Sequence, residues 1–220
     1  MLAELAHVRN WIFDLDNTLY PVSANLFAMI DARIGQYVQN LFACSPEEAH
    51  RIQKGYFHAH GTTLSGLMAE HGTDPHHYLD FVHDVDMSRL TTDTALVEAL
   101  ALLPGRKLVF TNADTPYAAR VLDRLGLSDS FEAIHDVHAT AYRPKPDPKA
   151  YRGLCDAYGL DPRASLFVDD MARNLAPAKA IGMATVWIDN GSEQGPGEDR
   201  SFIDYSTDDL GAWLHSILEN

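Results

Sequence analysis

The feature that most constrains this chain is an alternation of two textures. Short apolar runs at Val8–Phe13, Lys107–Thr111, Ala133–His135, Ser165–Val168 and Ala184–Ile188 are separated by longer stretches of helical character. Runs this short, without a regular polar alternation, suit strands buried on both faces. Strands that alternate with helices pair in parallel, because each crossover returns the chain to the same end of the sheet. All strand carboxyl ends then lie along one edge, so polar residues that close different strands converge there. The expected fold is α/β, with a Rossmann-like parallel sheet core.

The first connection departs from the pattern. After Tyr20-Pro21, apolar residues Leu26, Ile30, Ile34, Tyr37, Val38 and Leu41 recur at helical spacing over Ser23–Phe42. Ser45-Pro46-Glu47-Glu48 opens a second helix, to about His60, with Ser45 as cap, Pro46 in the first turn and Glu48 completing a capping box. Thr62–His71 and Asp74–His83 read as two more helices. No strand interrupts them, so this is an inserted helical module and not a simple crossover. Residues 1–20 and 91–220 are expected to form the core, and 21–90 a helical cap inserted after the first strand.

In the core, helices are expected over Thr92–Leu103, Thr115–Leu125 and Asp147–Tyr158, another ending at Ile181, and a last from Ser206 to Leu218. Three of them stop at a glycine followed by an apolar residue (Gly126-Leu127, Gly159-Leu160, Gly182-Met183), the Schellman pattern. Residues 190–200, rich in Gly, Pro and acid, read as a loop.

Composition excludes some functions. With 220 residues, 46% of them hydrophobic, the chain can bury a substantial core. Its formal net charge is -14. Binding a nucleic acid polymer needs clustered Lys and Arg, so none is expected, and any phosphate site must bring its own positive charge. Cys44 and Cys155 lie far apart without zinc spacing, which points to a reducing compartment. Met1-Leu2-Ala3-Glu4 lacks the basic start and apolar core of a signal peptide. No apolar run approaches membrane-spanning length, so no membrane partner is expected. The reading is a soluble, cytoplasmic monomer or homodimer.

The chemistry gathers at the strand ends. Asp14 and Asp16 follow the first strand two residues apart, and in extended chain such residues project to the same side. Neighbouring carboxylates repel unless a cation offsets them, which indicates a divalent metal. Thr111-Asn112 closes the second strand, Lys145 follows the third, and Asp169-Asp170 closes the fourth. Each has a plainer reading alone: Asp169-Asp170 as a helix cap, Thr111 as a turn residue, Lys145 as a solvated charge. Their convergence on one sheet edge outweighs those readings. The six histidines from His58 to His83 lack clean ligand spacing and read as structural or solvent-facing.

Asp14-Leu15-Asp16-Asn17-Thr18, Thr111-Asn112, Lys145-Pro146 and Asp169-Asp170 resemble, in order and spacing, the four motifs of the haloacid dehalogenase-like phosphohydrolases. The helical insert looks like that superfamily's small cap. More narrowly, Tyr20-Pro21, Gly61–Leu67, Glu70-His71-Gly72, His83–Asp86, Leu103–Lys107 and Tyr142–Pro146 are similar to the pyrimidine 5'-nucleotidase branch. The resemblance implies a Mg²⁺-dependent phosphomonoesterase with a small-molecule phosphate substrate, most simply a pyrimidine nucleoside 5'-monophosphate. Asp14 would be the nucleophile that forms an aspartyl-phosphate, and Asp16 the general acid and base. Mg²⁺ would sit on Asp14, the Asp16 backbone carbonyl and Asp170, with Asp169 direct or through water. Thr111 and Asn112 would bind phosphate oxygens, and Lys145 would neutralise the nucleophile and the developing charge. Tyr20, Thr62, Thr63 and His83 would contact the rest of the substrate. The alternatives are a phosphatase for a sugar phosphate or phosphoglycolate, and a non-catalytic binding module with a decayed site. Dehalogenation is disfavoured by the acid at Asp16 and the metal-serving pair Asp169-Asp170.

Overall fold

The computed structural model describes residues 2–191, 195 and 197–219. In chain order, β1 (Asn10–Phe13) leads into four helices: α1 (Leu26–Phe42), α2 (Pro46–His60), α3 (Thr63–His71) and α4 (Pro75–Val82). Then follow α5 (Thr94–Leu102), β2 (Arg106–Phe110), α6 (Thr115–Leu125), β3 (Ala133–His135), α7 (Pro148–Tyr158) and β4 (Ser165–Asp169). The rest comprises α8 (Ala172–Ala180), β5 (Ala184–Ile188), β6 (Tyr205–Thr207) and α9 (Leu210–Glu219).

The strands form one parallel sheet in the order β3-β2-β1-β4-β5-β6. Period-2 alternation sorts their side chains into two layers. Trp11, Phe13, Val109, Leu166 and Val168 face α5, α6 and α9. Ile12, Leu108, Phe110 and Phe167 face α7 and α8. All four residues of β1 are buried, which explains why its run is continuously apolar except for Asn10. Each large apolar side chain so buried stabilises the fold by about 1.5–3 kcal/mol. Asn10 gives its amide to the Ser165 Oγ at 3.1 Å, a buried polar pair that locks β1 to β4. The chain leaves β1 toward β2 and β3 on one side and returns to β4 on the other. That reversal opens a crevice at the carboxyl end of β1.

Helices α1 to α4 gather around Tyr37, Val38, Ala49, Leu64, Leu67, Tyr78, Leu79 and Val82, joined by Val137 from beyond β3. Gly66 is required there: a Cβ at that position would fall 2.5 Å from the Tyr56 ring. No helix among the described residues is long and apolar enough to cross a membrane. Cys44 and Cys155 are free.

Several expected boundaries differ for local reasons. α1 starts at Leu26 and not Ser23, because Val22–Ala24 form a single tight turn and Asn25 is left-handed at φ 60°. The Ser45 side chain accepts the Glu48 N–H, but the reciprocal half of the capping box is replaced: the Glu48 carboxylate pairs with Arg51. α6 keeps its expected range, with Asp114 as its cap and Thr115 turned to Asp136. Ser206-Thr207, read as the start of the last helix, belongs to β6. The helix begins after Asp209, whose carboxylate accepts the Ala212 N–H. The expected 190–200 loop falls in part outside the described residues, as do Met1 and Asn220 at the ends of the expected core.

Candidate active site

Asp14 is set by the sheet. Its N–H continues the ladder to the Val168 carbonyl at 2.9 Å, which places it beside the end of β4. Asp14, Asp169 and Asp170 are all buried, and one carboxylate oxygen from each lies within 4.8 Å of those from the other two. Lys145 reaches this group from the loop before α7. Its Nζ donates to Asp14 Oδ1 and to Asp169 Oδ2, each at 2.7 Å. Only 1% of Lys145 is exposed, and its ammonium lies 5.2 and 5.3 Å from the ring centres of Phe110 and Phe167. It is therefore not a solvated loop charge.

Three carboxylates and one ammonium leave the pocket short of positive charge. Burial pushes the Asp14 carboxyl well up, and Asp169, Asp170 and Asp16 add to this against the pull of Lys145. Burial and Asp169 raise Asp170 to about 7. Burial pushes the Lys145 ammonium down, but Asp14 and Asp169 outweigh it and hold the proton. Oxygen donors with surplus negative charge fit a hard divalent cation. Among the described residues, Asp14 Oδ2 and Asp170 Oδ1 accept no hydrogen bond, so both are open to such an ion. Asp169 is differently placed. Its Oδ1 accepts from the Met171 N–H and its two oxygens from Asn174 Nδ2, in addition to Lys145. It serves the pocket as a fixed acceptor more than as an open ligand.

Asp16 stands apart from the cluster. Leu15 turns into the core, the chain bends through Asn17 at φ 57°, and the half-exposed Asp16 carboxylate meets two phenols. The hydroxyls of Tyr20 and Tyr117 both donate to its Oδ1 at 2.6 Å. Tyr20, expected to contact substrate, instead uses its hydroxyl on Asp16.

The remaining candidates divide. Thr111 is buried at the end of β2, and its hydroxyl accepts the Ala113 N–H at 3.0 Å, which leaves its own proton to give. Asn112 holds the Lys145 peptide with its side chain. Thr62 and Thr63 are committed inside the helical insert: Thr62 caps α3 through the Ser65 N–H, and the Thr63 hydroxyl donates to the Gln53 carbonyl. His83 is buried, with its Nδ1 2.8 Å from Asp114 Oδ1 and its ring stacked on Tyr117. Both threonine hydroxyls are used within the insert in this arrangement, and His83 commits its Nδ1 to Asp114.

Sequence reasoning passed over several supporting groups. Thr18 Oγ1 accepts the Asp170 N–H at 3.1 Å, Trp187 Nε1 donates to the Asp170 carbonyl at 2.9 Å, and Asn190 Nδ2 donates to Asp170 Oδ2 at 3.0 Å. Asn190 follows the end of β5, where the strand-end rule could have found it; the adjoining Gly- and acid-rich stretch concealed it. Arg173, early in α8, lies with its guanidinium 4.6 Å from the ring centre of Phe57 in α2. Its Nε is buried without a partner among the described residues. This contact joins the insert to the core beside the carboxylates. The loop preceding Lys145 also touches the insert, where the Ser65 hydroxyl donates to the Tyr142 carbonyl at 3.4 Å.

A parallel sheet with a helical insert after β1, an aspartate closing that strand, and a lysine bridging it to the aspartates of β4 define a known arrangement. The family model of the haloacid dehalogenase-like hydrolases matches residues 8–182. The chain belongs to that family. Among curated hydrolase and other relatives, Phosphate metabolism protein 8 of Saccharomyces cerevisiae is 29% identical over 80% of this chain and 60% of its own length. The phosphoglycolate phosphatase of Rhodospirillum rubrum is 35% identical over 54% of this chain and 50% of its own. The chain thus spans about half to three fifths of the length of these relatives. Among solved structures, a haloacid dehalogenase-like phosphatase from Thermococcus onnurineus superposes with a TM-score of 0.64 at 18% identity. That match covers 96% of this chain and 98% of the other, and shows a shared fold.

Proposed function

We propose that this haloacid dehalogenase-like hydrolase is a Mg²⁺-dependent phosphomonoesterase that works through an aspartyl-phosphate on Asp14. The observation that carries the reading is the Lys145 bridge between Asp14 and Asp169, buried at the sheet's reversal point with open carboxylate oxygens beside it. Lys145 holds the nucleophile in place and offsets the charge of an incoming phosphate. Mg²⁺, held by Asp14, Asp170 and the Asp16 carbonyl, would neutralise the remaining carboxylate charge and polarise the phosphoryl group. Asp169 supports it from behind.

Asp14 attacks phosphorus, and the bond from phosphorus to the leaving oxygen breaks. Asp16 gives that oxygen its proton. Asp16 then takes a proton from water, the water oxygen attacks phosphorus, and inorganic phosphate leaves with Asp14 restored. The Thr111 hydroxyl and the backbone at Asn112 bind the other phosphate oxygens. We take residues 21–90 as a cap that closes over the site and excludes bulk water, and 1–20 with 91–220 as the catalytic core. Arg173 and Phe57 form the seam where cap meets core.

The preferred substrates on this reading are pyrimidine nucleoside 5'-monophosphates, supported by the likeness of Tyr20-Pro21, Gly61–Leu67 and Tyr142–Pro146 to that branch. A second reading, phosphoglycolate, is supported by the Rhodospirillum rubrum relative. Steady-state phosphate release with Mg²⁺ over UMP, CMP, purine monophosphates, sugar phosphates and phosphoglycolate decides. A lead of about a hundredfold in kcat/KM for UMP and CMP, nearly 3 kcal/mol of transition-state binding, supports the narrow reading. A lead for phosphoglycolate replaces it. No turnover of any ester with Mg²⁺ present sinks the enzymatic reading.

A further inference from the structure

We propose that Tyr20 and Tyr117 are positioning residues for Asp16, and that His83 of the helical insert braces Tyr117 in that role. This rests on the reading of Asp16 as the general acid. The geometry is specific. Both phenols donate to the same carboxylate oxygen, Oδ1, at 2.6 Å, and Asp16 Oδ2 accepts no hydrogen bond from any described residue. Two donors on one oxygen fix the plane of the carboxylate and leave the other oxygen to carry the transferable proton. Exposure is 0% for Tyr117 and 3% for Tyr20, so each phenol must place its O–H on a protein acceptor or leave it unsatisfied. They reach Asp16 from different places: Tyr20 from the turn after β1, Tyr117 from the first turn of α6.

Tyr117 is itself held. Its ring stacks on the His83 imidazole with centroids 4.3 Å apart and planes 21° from parallel. His83 caps the end of α4, the last helix of the insert, and its Nδ1 lies 2.8 Å from the carboxylate of Asp114. Asp114 in turn caps α6 by accepting the Tyr117 N–H at 3.3 Å. Arg120, one turn further along α6, donates to the His83 carbonyl at 2.8 Å. The end of the insert and the start of α6 are thus bound together around the tyrosine that touches Asp16. A displacement of the insert at His83 would be felt by the acid without any contact between His83 and substrate.

A general acid matters in proportion to how poor the leaving group is. The test measures kcat/KM, which reports formation of the aspartyl-phosphate, for p-nitrophenyl phosphate and for UMP in the whole 220-residue chain with Mg²⁺. Tyr117→Phe keeps the ring and its stack and removes only the hydroxyl; Tyr20→Phe is an independent second variant. The expected result is a loss of about tenfold or more on the alkyl ester UMP with a loss under about threefold on p-nitrophenyl phosphate. His83→Asn should show the same selective pattern, weaker. Equal losses on both esters mean a structural role and overturn the proposal, as does an unchanged rate on UMP. Asp16→Asn is the reference: if it also fails to discriminate the two esters, the general-acid reading falls and takes this inference with it.

Discussion

Asn112 and Lys145 exchange a pair of hydrogen bonds: the Asn112 Oδ1 accepts the Lys145 N–H at 2.8 Å, and the Asn112 Nδ2 donates to the Lys145 carbonyl at 3.1 Å. The end of β2 thereby grips the loop that delivers the lysine to Asp14. An amide side chain has one acceptor and two donors, so it can satisfy both backbone groups of one residue at once. Asn112→Ala removes the grip and leaves the lysine to find its own position. We expect kcat to fall about tenfold, in line with the sensitivity of catalysis to small misplacements, and stability to fall by about 1–2 kcal/mol. Paired measurements of kcat and denaturant midpoint check both; an unaltered kcat would show that Lys145 is placed without Asn112.

Asp14→Asn should abolish turnover and yet not weaken the fold. Burial raises the Asp14 carboxyl, with the other aspartates adding to the effect. A raised pKa means that stability present below the unfolded value, near 4, is lost as pH rises through the folded one. At pH 7.5 without metal the wild-type chain bears that penalty and the asparagine variant does not. The variant's metal-free Tm at pH 7.5 should equal or exceed the wild type's. Lys145→Met should do the reverse. It strands buried carboxylates without their counter-ion, a loss of about 3–5 kcal/mol, and lowers turnover by about a hundredfold or more. An Asp14→Asn variant with near-normal rates would remove the covalent mechanism.

Metal and proton should compete for the same pocket. Asp170 is raised to about 7 by burial and by Asp169, so it is protonated in the metal-free chain below that pH and ionised above it. Its contribution to metal-free stability is therefore present below about pH 4 and is lost as pH rises from there toward 7. On the Mg²⁺-dependent reading, the ion would bind the ionised form and restore the loss. Thermal melts with Mg²⁺ and with a chelator at pH 5.5 and pH 8 should show a large upward shift in Tm at pH 8 and a small one at pH 5.5. Equal shifts at both values would mean that the ion binds elsewhere.

The part of the molecule legible in the sequence is the part governed by local rules. Parallel pairing followed from short apolar runs, because β1 and β4 are buried on both faces and admit little else. Asp14, Asp169 and Asp170 come together because the strand ends that carry them lie on one edge, and the loop before α7 adds Lys145. β6 was missed because three residues at the sheet margin, Tyr205–Thr207, carry no periodicity to read. Tyr117 was missed for a different reason. It sits in a helix whose apolar stripe, with Ala118, Val121 and Leu122, explains it fully as a core residue. Only the tertiary arrangement shows that its hydroxyl reaches Asp16. Thr62 and Thr63 illustrate the converse. Their place in the Gly61–Leu67 segment invited a substrate role, while a helix cap and a buried carbonyl already use them.

The seam between insert and core yields the last prediction. Arg173 is half-buried with its guanidinium face on Phe57, and it forms no hydrogen bond with any described residue. The Nε–H in particular is buried away from both water and acceptors, which is unfavourable. A substrate that places an acceptor oxygen of its leaving group in the seam relieves this, whereas p-nitrophenyl phosphate meets the core through its phosphate alone. Arg173→Ala should therefore raise KM for the preferred ester about tenfold, with kcat less affected and p-nitrophenyl phosphate hydrolysis nearly unchanged. Arg173→Lys should rescue only part, because an ammonium neither stacks as flat on Phe57 nor presents a fork of donors. If both variants lose activity on both esters through kcat, Arg173 acts on the geometry of the neighbouring Asp169–Asp170 turn and not on the substrate.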